Sequence, residues 1–507
     1  MNWLALKSGS DVRGRAVGDG AVITDQVAAA LGMAFARKLA RDLNKPVEQV
    51  CVALGRDSRI TGEKLLAAAA DGIRRAGAAV LDFGLCTTPA MFMSIKTPGF
   101  QPDGSIMLTA SHHPWDRNGL KFFTAGGGID GKYVEALLTE AETLRPEEQE
   151  ATGSYTAKAF LPVYTEQLAA RVRQGLGTEE EKPLAGLHVV VDAGNGAGGF
   201  YAGMLESLGA DTSGSQFLEP DGMFPNHIPN PENEAAMESV CGAVKAAGAD
   251  MGVIFDTDCD RAAVVDGEGR EINRNRLIAL ISAILLEEKP GRTIVTDSVT
   301  SAGLKTFIES RGGTHYRFKR GYRNVIDEAV RLNGEGIDCP LAIETSGHAA
   351  LRENYFLDDG MYLVTVLIIR AMRMKKDGKS LSDLIADLKE PAESREIRLN
   401  ITDPDFRARG QAVIDLIRTH AEGTEGWHIA PDNREGIRVS FDIGGQADSG
   451  WFLLRLSVHD PVLPLNCESD VAGGVKDILT RLYRLLEGQK GIELGALEQE
   501  LAAGSNA

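Results

Sequence analysis

Residues 108–123 read LTASHHPWDRNGLKFF and place Ser111 in a tight polar loop beside His112, His113 and Pro114. A serine hydroxyl is a weak nucleophile unless a base or a charged neighbour activates it. His112 is adjacent, and Lys121 follows once Asn118-Gly119 has turned the chain. An isolated Ser-His pair is most often a surface turn with incidental histidines, so the remainder of the loop carries the argument. The chemistry on offer is group transfer to and from a hydroxyl.

Residues 251–266, MGVIFDTDCDRAAVVD, set Asp256, Asp258 and Asp260 at alternate positions directly after an apolar run, with Arg261 next. If the segment stays extended, that spacing turns all three carboxylates to one side. Three hard oxygen donors suit Mg²⁺, which completes its octahedron with water and phosphate oxygens. A calcium EF-hand loop wants Gly sixth and Glu twelfth; this segment has Arg261 and Gly267 there and fails. A dehalogenase-type phosphatase, with Asp256 as nucleophile, passes the same local inspection.

Three further segments are weaker taken singly. AIETSGH, 342–348, offers Glu344, Ser346 and His348 to sugar hydroxyls, although a helix-capping turn explains it as well. In residues 451–470, Arg455 and Ser457 alternate on an expected strand that runs into a polar loop and a helix beginning near Glu468. An arginine fork with backbone N–H groups is a common grip for a phosphate that must not react. Gly194, Gly196 and Gly199 nominally match a dinucleotide fingerprint. Asp192 and Asn195 crowd that turn, so a sharp strand-to-helix turn is the better reading and an NAD-dependent oxidoreductase the lesser one.

The elements that must hold these loops alternate almost throughout. Strands are expected at 50–54, 79–83, 105–109, 187–193, 251–256 and 292–297, with helices at 62–76 and 132–141 and a linking helix within 144–182. Such alternation gives β–α units, whose ligands bind at the carboxyl ends of strands. After residue 394 the texture becomes that of a mixed sheet, with helices near 406–420 and 470–486 and a fraying tail from about 496.

The chain has 507 residues, enough for several domains. Its 72 acidic against 54 basic residues give a net charge of -18, which argues against nucleic acid or an anionic membrane as partner. Six scattered cysteines without a CxxC pair read as reduced thiols. The start lacks a signal-peptide stretch, and the apolar runs at 277–286 and 361–369 fall short of the roughly 20 residues a membrane span needs. A cytoplasmic protein with buried helices is expected.

In order, these loops resemble those of the α-D-phosphohexomutase superfamily, most of all its phosphomannomutase/phosphoglucomutase branch. TASHHP resembles the TASHNP phosphoserine loop with His113 for Asn, DTDCDR the DGDGDR metal loop, ETSGH the GEMSGH sugar loop, and RLSVHDP the RxSNTxP phosphate loop. SDVRG, GRDSR and FPNHIPNPEN are also similar to family signatures, and the likeness runs from about residue 8 to about 485. The resemblance implies an α/β, four-domain architecture: three similar α/β domains at 1–155, 156–288 and 289–392 and a smaller C-terminal α+β domain at 393–507.

It also implies roles. Ser111 would carry the phosphoryl group and, with Asp256, Asp258 and Asp260, bind Mg²⁺. His112 and Lys121 would be the acid/base candidates, with Arg261 beside the phosphoserine and Arg13 near its phosphate. Glu344, Ser346 and His348 would hold the sugar, and Arg455, Ser457 and His459 the nonreacting phosphate. The implied activity interconverts mannose or glucose 1- and 6-phosphates, activated by hexose 1,6-bisphosphate; glucosamine phosphate is the alternative substrate. The domain bearing Arg455 is expected to move. Tyr322 stands where many relatives have His, so no histidine role is carried over, and Arg320 and Arg323 are candidate phosphate contacts.

Overall fold

The computed structural model describes residues 2–457 and 460–503. It divides into two units, Met1–Leu280 with Ser346–Leu384 and Ile281–Thr345 with Ile385–Ala507. In the first unit the expected apolar runs form the parallel strands Cys51–Arg56, Ala79–Leu85 and Gly104–Leu108. Arg117–Thr124 returns antiparallel to Gly104–Leu108, and Asp11–Arg15 pairs antiparallel to it in turn. That order sets Lys121 opposite Met107 and Arg13 opposite Gly119. A Cβ at Gly119 would lie 2.2 Å from the Val12 carbonyl oxygen, so glycine is what lets these strands close up.

Apolar faces of the helices Asp25–Asp42, Gly62–Arg75 and Gly131–Thr143 cover this sheet around Leu31, Phe35, Leu54, Ile106 and Phe122. The linking helix expected within 144–182 is Leu161–Leu176. A second sheet in the same unit has Val189–Asp192 parallel to Met251–Phe255, which pairs antiparallel with Ala262–Asp266. The glycine-rich stretch is a strand-to-helix turn, as read, leading into Phe200–Ser207.

The second unit contains three parallel strands, Thr314–Arg317, Thr293–Thr296 and Leu341–Ile343. Its other sheet takes the order Glu393–Asn400, Val462–Ser469, Gln446–Leu454, Ile437–Ile443, His428–Ile429. This sheet is antiparallel throughout rather than mixed. No helix begins near Glu468: the residue lies within the strand Val462–Ser469, and the helix is Gly474–Leu486. Pro464 disguised that strand, because proline is expected only at sheet edges; here its carbonyl still accepts from the Arg455 N–H at 3.1 Å.

The preceding strand stops at Leu454, so Arg455 and Ser457 stand just beyond it. The tail does not fray at 496 either. Gly495–Ala503 is a helix anchored by fully buried Leu497, and Glu500 pairs with Arg395 at 2.5 Å. Residues 277–286 and 361–369 lie in the helices Arg274–Glu288 and Gly360–Lys375, whose apolar side chains are buried. Among the described residues no helix is long and apolar enough to cross a membrane.

Candidate active site

Ser111 follows the strand Gly104–Leu108 in a left-handed backbone conformation, φ 51°, which a residue with a Cβ adopts only under constraint. The constraint is visible. The Ser111 N–H donates to Thr109 Oγ1 at 2.8 Å, and Thr109 Oγ1 donates to Asp57 Oδ2 at 2.6 Å. Ser111 Oγ then lies 3.0 Å from Asp256 Oδ2, 3.2 Å from Arg261 Nη2 and 3.3 Å from His112 Nδ1.

The acidic segment is not extended, which corrects the sequence expectation. It is the turn of the hairpin Met251–Phe255 with Ala262–Asp266, sharpened by Cys259 at φ 65°. The turn, rather than strand alternation, brings carboxylate oxygens of Asp256, Asp258 and Asp260 within 4.8 Å of one another. The glycine turn buttresses it: Ala197 N–H donates to the Thr257 carbonyl at 2.8 Å, and a Cβ on Gly196 would meet that oxygen at 2.7 Å.

All three carboxylates are buried, as are their cationic partners. Arg261 grips Asp256 Oδ2 through Nε at 3.1 Å and Nη2 at 2.9 Å. Lys121 Nζ contacts Asp258 Oδ2 at 3.0 Å and also bonds Asp260 Oδ2. Burial opposes the charge on Lys121, but Asp258, Asp260 and Asp11 outweigh it and hold the ammonium well above its ordinary pKa. Burial, then Asp260 and Asp258, push the Asp256 carboxyl up. Asp260 is held low despite burial, by Lys121, His348 and Arg261.

Two oxygens remain, Asp258 Oδ1 and Asp260 Oδ1, buried and accepting no hydrogen bond. Unpaired buried acceptors are costly. Hard, anionic and converging, they fit a divalent cation such as Mg²⁺.

His348 joins the cluster: it bridges to Arg261 along the backbone and pairs with Asp358 through Nδ1. Burial would lower it, but Asp358 and Asp260 raise its pKa to about 9. His112 moves oppositely, pushed to about 2 by burial, then Arg261, His113 and Arg13. Arg13 itself pairs with Asp11 at 2.7 Å. Ser346 is buried in the same unit, and its loop joins two strands, Leu341–Ile343 and Ala349–Leu351, rather than capping a helix.

Glu344, Arg455 and Ser457 belong to the second unit and are described within it. Glu344 Oε1 accepts the Gly321 N–H at 2.6 Å. Burial and then Arg320 lower the Arg455 pKa, and Ser457 Oγ accepts from the Asp460 N–H at 3.2 Å. His459 lies outside the described residues.

Sequence reasoning missed Thr88, whose hydroxyl donates to Asp258 Oδ2 at 2.5 Å, and Asp57, Arg59, Asn230 and Asp358. Asn230 Oδ1 accepts from Arg261 at 3.3 Å. GRDSR and FPNHIPNPEN were visible as motifs, but nothing local says which loop they touch.

Family models for the phosphoglucomutase/phosphomannomutase alpha/beta/alpha domains I, II and III match residues 5–147, 162–269 and 273–391. The chain belongs to the phosphoglucomutase/phosphomannomutase family. As a member it is a phosphohexomutase, an intramolecular phosphotransferase. The phosphoglucomutase of Neisseria gonorrhoeae is 30% identical over 480 residues, covering 94% of this chain and 95% of the relative. The phosphomannomutase/phosphoglucomutase of Pseudomonas aeruginosa PAO1 is 31% identical over 475 residues, 93% of each chain. The crystal structure of a family protein from Burkholderia thailandensis, 28% identical, superposes with a TM-score of 0.79 over 97% of this chain and 99% of that one. Membership sets aside the dehalogenase and dinucleotide readings, and the three α/β domains with a C-terminal antiparallel sheet are the phosphohexomutase fold.

Proposed function

We propose that this phosphohexomutase interconverts the 1- and 6-phosphates of mannose, glucose or both, through phospho-Ser111 and a hexose 1,6-bisphosphate. The observation that carries the reading is Ser111 Oγ, 3.0 Å from Asp256 and 3.2 Å from Arg261 at the mouth of three buried carboxylates. Relatives named for each sugar support the substrate class.

In the first transfer a free sugar hydroxyl attacks phosphorus. Its oxygen forms the new P–O bond, the bond to Ser111 Oγ breaks, and the hydroxyl proton passes through His112 to Ser111 Oγ. Burial first, and then Arg261, His113 and Arg13, disfavour the charged form of His112, which leaves its imidazole a site free to accept; phosphate on Ser111 offsets the arginine charges and raises its basicity. Lys121, an ammonium, and Arg261 neutralise the transferring oxygens. The bisphosphate then turns over, Ser111 Oγ attacks the other phosphate, and the proton retraces its path.

Asp256, Asp258, Asp260 and an oxygen on phosphorylated Ser111 would hold Mg²⁺, which when bound acts as a Lewis acid on the phosphoryl group. Arg13, Glu344, Ser346 and His348 position the sugar phosphate, and Arg455, Ser457 and His459 grip the nonreacting end, in the C-terminal one of four domains. Hexose 1,6-bisphosphate restores phosphate lost from Ser111.

The test compares mannose, glucose and glucosamine 1-phosphates with Mg²⁺ and a trace of bisphosphate. Formation of mannose or glucose 6-phosphate is expected. Preference for glucosamine would overturn the sugar assignment, and conversion of none would overturn the activity.

A further inference from the structure

Arg59 is completely buried, and both terminal nitrogens of its guanidinium donate to one loop. Nη1 donates to the carbonyl oxygens of Pro114 and Arg117, each at 2.8 Å. Nη2 donates to those of Ser111 at 2.5 Å and His113 at 2.6 Å. Asp57 lies 3.2 Å from Nε and accepts the Arg59 N–H at 2.9 Å. The same carboxylate takes the Thr109 hydroxyl, which in turn accepts the Ser111 N–H.

We propose that Arg59 is the positioning residue that holds the Ser111 loop in its strained, transfer-competent conformation, with Asp57 and Thr109 completing the clamp. The inference rests on Ser111 as phosphoryl carrier. A left-handed serine relaxes unless its surroundings over-determine it. Four carbonyl oxygens from a single loop converge on one planar fork, a geometry that the ammonium of lysine does not reproduce. By drawing those carbonyl oxygens inward, the fork also leaves Ser111 Oγ aimed at Asp256 and Arg261, and keeps carbonyl dipoles away from the anionic phosphoryl group. A loosened clamp misplaces Oγ without removing any group that binds sugar. Transfer to sugar should then slow, while hydrolysis of the phosphoserine, which needs no aligned sugar, should gain ground.

The experiment first establishes acid-stable phosphate on the wild type and its absence from Ser111→Ala; without that result the carrier reading itself fails, separately from this one. Arg59→Lys and Thr109→Val are then compared for kcat, KM and the ratio of phosphoenzyme hydrolysis to transfer. Arg59→Lys is expected to lose about 100-fold in kcat with KM little changed, and Thr109→Val about tenfold. Both should raise the hydrolysis-to-transfer ratio, a readout that simple loss of folded protein leaves unmoved. If Arg59→Lys does not fold, Thr109→Val decides alone. A wild-type kcat, or a lower kcat with an unchanged ratio, overturns the proposal.

Discussion

The surroundings of Ser111 and those of Arg455 are built on opposite plans. Around Ser111 the hydroxyl and its loop are held from several sides, although Asp258 Oδ1 and Asp260 Oδ1 are left over: Oγ by Asp256 and Arg261, the loop carbonyls by Arg59, with Lys121 on Asp258 and Asp260. Arg455 stands just past the end of a strand, half-buried, with its Nε buried and without a hydrogen-bond partner. A group that must meet phosphorus along one line is over-determined by its neighbours. In the role proposed for Arg455, a group that grips either end of a sugar bisphosphate does better with donors not yet spent. On that proposal, rigidity and latitude fall to different parts of the chain.

The sharpest way to break this comparison is to remove one of the three carboxylates. Asp258→Asn is expected to cut kcat by about 1000-fold with Mg²⁺ present. In chelator the same variant should melt no lower than wild type, because four buried carboxylates, Asp358 included, face three cations, Lys121, Arg261 and His348, and the substitution relieves the excess negative charge. A large loss of stability with activity intact would mean the cluster is structural. Arg455→Ala tests the other plan and should raise KM for the sugar phosphate about 10- to 100-fold, with kcat far less affected. A fall in kcat at constant KM would instead place Arg455 with the transfer machinery.

Much of the site near Ser111 was legible because its motifs are contiguous. TASHHP and DTDCDR each hold, within a few residues, side chains that the structure brings together. How the carboxylates converge was not legible: it depends on the left-handed turn at Cys259, which no alternation rule predicts. Arg59 was hidden for a different reason, since the four carbonyls its terminal nitrogens hold lie more than fifty residues away and are backbone atoms with no sequence identity. In the second unit Pro464 concealed the inner strand Val462–Ser469, and the neighbouring strand ends at Leu454, which leaves Arg455 just beyond it. The tail was misread because its composition is polar and small, while buried Leu497 and partly buried Leu501 pin it.

That tail offers the smallest test. Leu497→Ala should cost about 2–5 kcal/mol of stability in thermal or urea unfolding. Glu500→Gln, which breaks only the half-exposed pair with Arg395, should change it by about 0.5 kcal/mol or less. Both should leave the kinetic constants alone, and a kinetic effect from either would tie the C-terminal helix to the site.

The central claim is that phosphate travels on Ser111, and it is read most directly by incubating the enzyme with Mg²⁺ and hexose 1,6-bisphosphate and mapping the phosphate by peptide mass spectrometry. One acid-stable, hydroxylamine-resistant phosphate is expected on Ser111, discharged by added hexose 1-phosphate and absent from Ser111→Ala together with turnover. A hydroxylamine-labile phosphate on Asp256, or undiminished turnover in Ser111→Ala, would contradict it.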